Sequence, residues 1–168
     1  MNSQNKALTI YYTVGLPGSG KTTWAYEMQQ LLAEKGNAEV VLISLDDIRR
    51  MYNVNFNIDT EFLARRAWIA SIQAALSLGW DVIVHDTNLN PKWIKSITEK
   101  AIEYSASVIR VDHFLTVPLE TCLERNSTRI LAEAVPSSAI FRMYEKWILS
   151  QRYLEYKDIT SEKDQIPA

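Results

Sequence analysis

The sequence has little cysteine and little histidine: one cysteine and two histidines among 168 residues. Cys122 alone cannot form a disulfide within the chain, and no cysteine and histidine cluster has the spacing of zinc ligands. No apolar run approaches the roughly 18 residues that a membrane-spanning helix needs, and residues 1–6 are polar rather than signal-like. These absences argue against a disulfide scaffold, a zinc site and a membrane anchor. We therefore expect a cytoplasmic protein.

The sequence also has no excess of basic charge. Lysine and arginine number 18 against 20 acidic residues, which gives a formal net charge of -2 at pH 7. A generally basic nucleic-acid surface is therefore not expected, although an enzyme that handles only a strand end needs no more than a local positive cluster. The length and the 47% hydrophobic share suit one globular domain over 1–168, with a flexible tail over 160–168.

Four short runs rich in Val, Ile, Leu and Tyr alternate with stretches whose apolar residues recur at helical spacing. Continuous apolar runs of this kind are typical of buried parallel strands, and the stretches between them of crossover helices. The pattern predicts an α/β fold, a P-loop NTPase type of mainly parallel sheet with four or five strands flanked by helices. The predicted strands are 8–14, 40–45, 81–86 and 108–115, and two further helices are predicted over about 118–125 and 137–149.

Local signals mark the ends of the predicted helices. Gly36 and Gly79 stand where C-terminal caps are expected, and Asn90 followed by Pro91 is typical of an N-cap with proline in the first turn. The apolar helical faces include Phe62 and most of the tryptophans, for which core packing is the default interpretation. The two histidines, His85 and His113, are interpreted as hydrogen-bonded structural residues.

Three of the five glycines fall in residues 15–22, which read Gly-Leu-Pro-Gly-Ser-Gly-Lys-Thr and match G-x-x-x-x-G-K-[ST]. Glycine lets the backbone curl around a phosphate with its N–H groups pointing inward. Lys21 then reaches the β- and γ-phosphates, and the Thr22 hydroxyl is suited to ligate Mg²⁺. A flexible glycine turn is the alternative, but a strand precedes the motif and a helix follows it. The predicted site for ATP or another nucleoside triphosphate comprises Gly15, Pro17, Gly18, Ser19, Gly20, Lys21, Thr22 and Thr23.

The rest of the sequence favours a kinase over a switch or a motor. The N-K-x-D and D-x-x-G motifs of Ras-like GTPases are absent, and a motor would usually be longer. A small kinase needs a carboxylate near the γ-phosphate and arginines that neutralise the transferring group. Asp46, at the end of the second strand, is the candidate base. The alternative is that Asp46 and Asp47 stabilise the start of a short helix through its dipole.

Two further groups are candidates at the same site. Asp86 closes the third strand, where it would orient an arginine or hold a Mg²⁺-bound water; the alternative is a turn aspartate that bonds local N–H groups. Arg125 and Arg129 are four residues apart and would project from one helical face as part of a lid over about 125–136. The alternative for this pair is a solvated face on which Arg129 pairs with Glu133.

Several of these segments resemble, in order, the kinase domain of the phage-type polynucleotide 5′-kinases. The likeness runs over about residues 9–147. The phosphate loop is shared by many families, whereas the hexapeptide at 86–91 together with the arginine pair is far more specific. The matching segments are Gly-Leu-Pro-Gly-Ser-Gly-Lys-Thr-Thr-Trp-Ala at 15–25, Asp-Asp-Ile-Arg at 46–49, Asp-Thr-Asn-Leu-Asn-Pro at 86–91, Arg-Asn-Ser-Thr-Arg at 125–129 and Ala-Val-Pro at 134–136.

The resemblance implies transfer of the γ-phosphate to a 5′-hydroxyl end of single-stranded or nicked DNA or RNA. It implies that Asp46 is the base, that Lys21 and Thr22 hold the triphosphate and Mg²⁺, and that Arg129, with Arg125, clamps the donor phosphates. It further implies an acceptor site. In that site Arg49 holds the acceptor's 3′-side phosphate, Asp86 with Thr87 supports the pocket, and Val135 packs against the terminal base.

Two departures from the family pattern qualify the resemblance. The best-known members continue into a phosphatase domain with an Asp-x-Asp-x-Thr motif, which this sequence lacks, so no 3′-phosphatase activity is expected. Ile130 stands where the family has glycine. The alternatives are a P-loop kinase of a small hydroxylated acceptor and a nucleotide-binding module without catalysis; a homo-oligomer is compatible with the sequence.

Overall fold

The computed structural model describes residues 7–52, 58–130 and 134–149. The tail expected to be flexible, 160–168, lies outside the described residues. So do residues 131–133 of the expected lid, including Glu133, the partner considered for Arg129. The chain divides into two compact units, one formed by the chain up to Gly15 with Gly20–Phe114, and the other by Leu16–Ser19 with the chain from Leu115 onward.

The first unit contains a four-stranded sheet in the order β2-β3-β1-β4, and all its pairs are parallel. Its register aligns Tyr12 with Val84, and Val84 with Ile43. Three strands therefore end at the same edge, and the residues that follow each strand meet there. The strands are β1 (Thr9–Thr13), β2 (Val40–Ile43), β3 (Asp81–Val84) and β4 (Ser107–Val111).

Helices connect these strands, as the alternating pattern predicts, and the parallel α/β sheet is confirmed. The apolar face of α3 is formed by Ala64, Trp68, Ile72 and Leu76, which recur every four residues and are buried. The interiors of β1 and β3 are buried as well, with Ile10, Val82, Ile83 and Val84 inaccessible to solvent. The helices are α1 (Lys21–Glu34), α2 (Leu45–Tyr52), α3 (Ile58–Ser77) and α4 (Pro91–Glu103).

The predicted helix ends are confirmed. Asn90 caps α4, since its Oδ1 accepts a hydrogen bond from the Lys92 N–H at 3.0 Å, and Pro91 begins the helix. Gly36 and Gly79 follow α1 and α3 with φ of 88° and 81°, a left-handed backbone that glycine adopts without a steric penalty.

Three details of the prediction are wrong. The fourth strand ends at Val111 rather than at 115, because β1, its strand partner in the described sheet, ends in the same register at Thr13; residues His113–Thr116 instead form a 3₁₀ turn. β4 is also exposed along most of its length instead of buried. Phe62 is 63% exposed, since it lies two residues, or about 200° around the helix, from Ala64 on the buried face of α3.

The second unit is helical after the 3₁₀ turn, as predicted. Helix α5 (Leu119–Ser127) precedes α6 (Ser137–Met143), and the chain continues from α6 as a π-helical stretch, Tyr144–Leu149. The buried residues of this unit include Cys122, Asn126, Ile140 and Ile148. Among the residues that the structure describes, no helix is both long and apolar enough to cross a membrane.

Candidate active site

The phosphate loop is anchored where it leaves β1. The Val14 N–H donates to the Val111 carbonyl at 2.8 Å, and the Gly15 N–H donates to the Thr87 carbonyl at 3.1 Å. Thr87 therefore contributes its backbone to the loop. These bonds tie the start of the loop to the last residue of β4 and to the segment that follows β3, so the loop begins at the carboxyl edge of the sheet, where ligands of such folds bind.

Two glycines of the loop have backbone conformations that other residues rarely adopt. Gly18 and Gly20 have φ of 83° and 99°. At Gly18 a Cβ atom would lie 2.3 Å from the Cys122 carbonyl oxygen, so the position excludes any side chain for steric reasons as well. Ser19 and Lys21 are buried, whereas Thr22 and Thr23 are exposed.

The start of α1 fits a triphosphate with Mg²⁺. Gly20 is the N-cap and supplies no side-chain hydrogen bond, so the positive end of the helix is open to an anion. The exposed Thr22 hydroxyl is the oxygen ligand that this site offers to Mg²⁺. The residues present therefore suit the ligands that the sequence motif predicts.

Asp86 joins three elements of the first unit. Its Oδ1 accepts a hydrogen bond from the Leu45 N–H at 2.8 Å, and its Oδ2 accepts one from Trp68 Nε1 at 2.8 Å. Its carbonyl oxygen accepts a hydrogen bond from Thr13 Oγ1 at 2.9 Å. The carboxyl group therefore bonds donors 41 and 18 residues away rather than the local N–H groups of the turn alternative. Trp68, to which the sequence assigned no function beyond packing, is part of this anchor.

Burial dominates the ionisation of Asp86. Loss of hydration raises its pKa from 3.8 to about 6, although the hydrogen bonds from Leu45 and Trp68 oppose the rise. The nearby carboxylate of Asp46 raises the pKa further. Asp86 thus holds the start of α2 with a carboxylate that the fold makes costly to ionise.

Asp46 projects from the first turn of α2 at this edge of the sheet. Its side chain is 73% exposed, and one oxygen, Oδ1, accepts a hydrogen bond from Arg49 at 2.6 Å. An exposed carboxylate oriented by one arginine is open to an acceptor hydroxyl. The position is consistent with the predicted general base.

Arg49 is held on its other side by Glu61 of α3. Its Nε and one terminal nitrogen donate to the two Glu61 oxygens at 3.0 and 2.9 Å, a bidentate pair. Burial lowers the pKa of Arg49, but the pairs with Glu61 and Asp46 outweigh burial and raise it. Glu61 also pairs with Arg65, whose guanidinium lies 3.6 Å from the centre of the Trp93 ring. No sequence signal singled out Glu61, because its partner lies on another helix.

Asp47 has a different role from its neighbour. Ser44 Oγ accepts a hydrogen bond from the Asp47 N–H at 3.1 Å and donates to Asp47 Oδ2 at 2.7 Å, so the Ser44 side chain caps the start of α2. Asp47 Oδ1 pairs with Arg50. Both aspartates stand in the first turn, as the helix-dipole alternative requires, but in the described structure it is Asp47 that bonds to Ser44.

His85 follows β3 and contradicts its prediction. The residue is 6% exposed, yet neither ring nitrogen has a hydrogen-bond partner among the described residues. Burial lowers its pKa, while Asp47 and Asp46 oppose that effect and Lys21 adds to it. Lys21 and both aspartates therefore act on the charge of this one ring.

The remaining predicted residues lie in the second unit. Arg125 is on α5 and Arg129 follows its end; both are exposed. Because α5 ends at Ser127, the two arginines do not share one helical face as predicted. Val135 is positioned by Asn126, whose side chain donates to the Val135 carbonyl at 2.7 Å and accepts from its N–H at 3.0 Å.

Comparison with known families decides the class of the protein. The family signature of an AAA domain matches residues 10–149, which is most of the chain. The chain belongs to the AAA-domain family. This AAA domain is a P-loop kinase-type domain, and the resemblance inferred from its motifs is confirmed at that level. Its family implies a nucleotide as phosphate donor, typically with Mg²⁺.

Individual relatives of this AAA domain are enzymes and enzyme complexes. It is 31% identical over 133 residues to an L-seryl-tRNA(Sec) kinase of Methanococcus maripaludis, which covers 79% of this chain and 50% of the relative. A solved Pnkp1/Rnl/Hen1 RNA repair complex superposes with a TM-score of 0.66 at 24% identity, over 93% of this chain and 48% of that one. A Sinorhizobium meliloti gluconokinase gives 0.52 at 20% identity, over 83% and 73%. The two structural likenesses show the fold, and the chain spans about half the length of the first two relatives.

Proposed function

We propose that the protein is a polynucleotide 5′-hydroxyl kinase, which transfers the γ-phosphate of ATP or another nucleoside triphosphate to the 5′ end of single-stranded or nicked DNA or RNA. The observation that carries the proposal is the exposed Asp46 carboxylate beside Arg49, at the edge of the sheet where the phosphate loop begins. An L-seryl-tRNA(Sec) kinase among the relatives supports a nucleic-acid acceptor.

Asp46 acts as the general base. It takes the proton of the 5′-hydroxyl while that oxygen bonds the γ-phosphorus, and the bond from the γ-phosphorus to the β,γ-bridging oxygen breaks to release the nucleoside diphosphate. Its exposure leaves room for a strand end, and Arg49 orients it. Lys21 and the loop N–H groups bind the transferring and bridging oxygens, and Mg²⁺, held through Thr22, neutralises their charge when bound.

Arg49 binds the acceptor. Because Glu61 holds its Nε and one terminal nitrogen, the other terminal nitrogen, now bonded to Asp46, can pass to the acceptor's 3′-side phosphate. That exchange releases Asp46 for the hydroxyl proton. Asp86 supports this arrangement by fixing the Leu45 N–H.

The sequence motifs assign the remaining roles of the proposal. Arg125 and Arg129 are exposed cations, and they neutralise the donor phosphates. Val135, held on both of its backbone groups by Asn126, packs against the terminal base.

The test is transfer of labelled γ-phosphate from ATP and from GTP, with Mg²⁺, to oligonucleotides of one sequence that carry either a 5′-hydroxyl or a 5′-phosphate. We expect label on the 5′-hydroxyl strand alone. Asp46→Ala should abolish the label while nucleotide affinity stays near wild type, and Asp46→Asn, which keeps the shape, should be equally inactive. Near-normal turnover by either variant would exclude Asp46 as the base.

A small hydroxylated acceptor is the second candidate, favoured by the net charge of -2, which attracts no polyanion. The same assay separates the two functions. If the protein binds nucleotide tightly but labels no oligonucleotide with either donor, the polynucleotide proposal fails and a small hydroxylated acceptor becomes the leading candidate.

A further inference from the structure

Two adjacent residues directly after β3 lie close to the start of α2, at positions on either side of Asp46 in the sequence. Asp86 holds the Leu45 N–H at 2.8 Å, one residue before Asp46. His85 faces Asp47, one residue after it, with its Nε2 3.7 Å from Asp47 Oδ2. Of the two contacts on either side of Asp46, the hydrogen bond to Asp86 is formed, whereas His85 and Asp47 are too far apart for one.

Without a hydrogen bond to Asp47, the buried His85 ring is energetically unfavourable. Its side chain is 4% exposed, and both ring nitrogens lack hydrogen bonds within the described structure. Buried polar groups without partners have lost hydration and gained nothing in return, which is why they are rare in folded proteins. Packing alone does not require an imidazole here. The ring of Tyr26 lies beside that of His85, at 6.5 Å between centroids, and it makes no hydrogen bond with the imidazole.

A small movement closes the contact. A hydrogen bond from a ring N–H to a carboxylate is about 2.8 Å long, so Asp47 Oδ2 and the ring need to approach by roughly 1 Å. Asp47 Oδ2 already accepts a hydrogen bond from Ser44, but a carboxylate oxygen accepts two. Other charged groups near the ring are Asp46 and Lys21; the aspartates favour a ring that donates, and Lys21 opposes a charged one.

We propose that His85 is a positioning residue for phosphoryl transfer: in the working enzyme its Nε2–H donates to Asp47 Oδ2, so that Asp86 and His85 together fix the turn that carries Asp46. The proposal rests on the proposed function, since it takes Asp46 as the base. It assigns His85 no contact with substrate.

The kinetic test compares His85→Phe, His85→Gln and Asp47→Ala with wild type. A base displaced by about 1 Å can lose up to a hundredfold in rate, so we expect His85→Phe to lower kcat about tenfold to a hundredfold with the KM for ATP unchanged. His85→Gln, which restores a donor, should recover most of that loss. His85→Phe and Asp47→Ala combined should cost no more than the larger single effect, because both remove the same contact. His113→Phe is the matched control and should keep wild-type kcat.

A spectroscopic test works without an acceptor. The chain has two histidines, so ¹⁵N-histidine spectra are assigned directly from His85→Phe and His113→Phe. With Mg²⁺ and adenosine 5′-(β,γ-imido)triphosphate we expect a hydrogen-bonded Nε2–H signal from His85 that Asp47→Ala, which has no acceptor, removes. Should the wild type label no oligonucleotide, the proposed function fails, yet this spectrum still tests the contact. A wild-type kcat in His85→Phe, or an unbonded Nε2 with nucleotide present, would overturn the positioning role.

Discussion

At the scale of single residues, Asp86 is the carboxylate whose ionisation the fold changes most among those described. Its pKa of about 6 means that the folded protein binds the Asp86 proton more tightly than the unfolded chain does. The contribution to stability is therefore complete below about pH 4 and is lost as the pH rises through 6. At about 1.36 kcal/mol per pKa unit, the loss amounts to roughly 3 kcal/mol at most.

Asp86→Asn removes this titration. We expect the free energy of unfolding of wild type, relative to Asp86→Asn, to fall by up to about 3 kcal/mol between pH 4 and pH 7. Urea unfolding at half-unit pH steps measures the difference. The variant also loses the acceptor for Trp68 Nε1, which shifts its curve by a constant amount and leaves the pH slope intact. Curves that run parallel would show that the carboxyl group is not perturbed.

Residues differ in how well the sequence predicts their role. The loop glycines, Lys21 and Thr22 form a contiguous motif, so their chemistry can be inferred from spacing alone. Glu61, Trp68 and His85 cannot be found in this way. Each acquires its role from a partner on another element, 12, 18 and 38 residues away respectively, and no local pattern encodes such a pairing.

At the scale of elements, the predictions succeed where neighbouring residues determine the end of a helix. They fail where the pairing of two strands determines the end of a strand. The cap at Asn90 and the glycines after α1 and α3 act within a few residues, and they lie where expected. The end of β4 is set by its register with β1, and its exposure by its place at the edge of the sheet. An apolar run such as 108–115 carries neither piece of information.

Asn126 connects helix α5 to another segment of the second unit. The residue is buried, and its amide satisfies both backbone groups of Val135, which joins α5 to the segment before α6. Asn126→Ala leaves two backbone groups without partners. Each such group costs about 1–3 kcal/mol. For the two groups together we expect the free energy of unfolding to fall by about 2 kcal/mol or more.

The control series for this prediction uses neighbouring positions on α5. Asn126→Asp keeps the acceptor for the Val135 N–H but sets a carboxylate oxygen against the Val135 carbonyl, so it should also lose stability. Ser127→Ala removes an exposed hydroxyl bonded to the Glu124 carbonyl and should change stability by less than about 0.5 kcal/mol. Urea unfolding measures all three. Equal stabilities for Asn126→Ala and Ser127→Ala would contradict the connector role.

At the scale of the whole molecule, the balance of charge limits how a nucleic acid is held. A net charge of -2 gives no general attraction for a polyanion, so the phosphates that matter are those near Arg49. Each contacted phosphate of a single strand adds about 0.7 to the salt slope of binding. One or two contacts at a strand end therefore imply a shallow dependence, whereas a protein that grips a long stretch shows a steep one.

We expect the logarithm of the apparent affinity for a 5′-hydroxyl oligonucleotide to fall with the logarithm of salt concentration with a slope of about -1. Arg49→Gln should make that slope shallower by about 0.7, since it removes one phosphate contact. Arg110→Gln changes an arginine paired with Asp112 at 3.0 Å on β4 and should leave the slope unchanged. The measurement is the KM for the oligonucleotide at salt concentrations from about 50 to about 300 mM. A slope of about -4 or steeper would mean that the protein holds an extended strand rather than an end, and the acceptor site would have to extend well beyond Arg49.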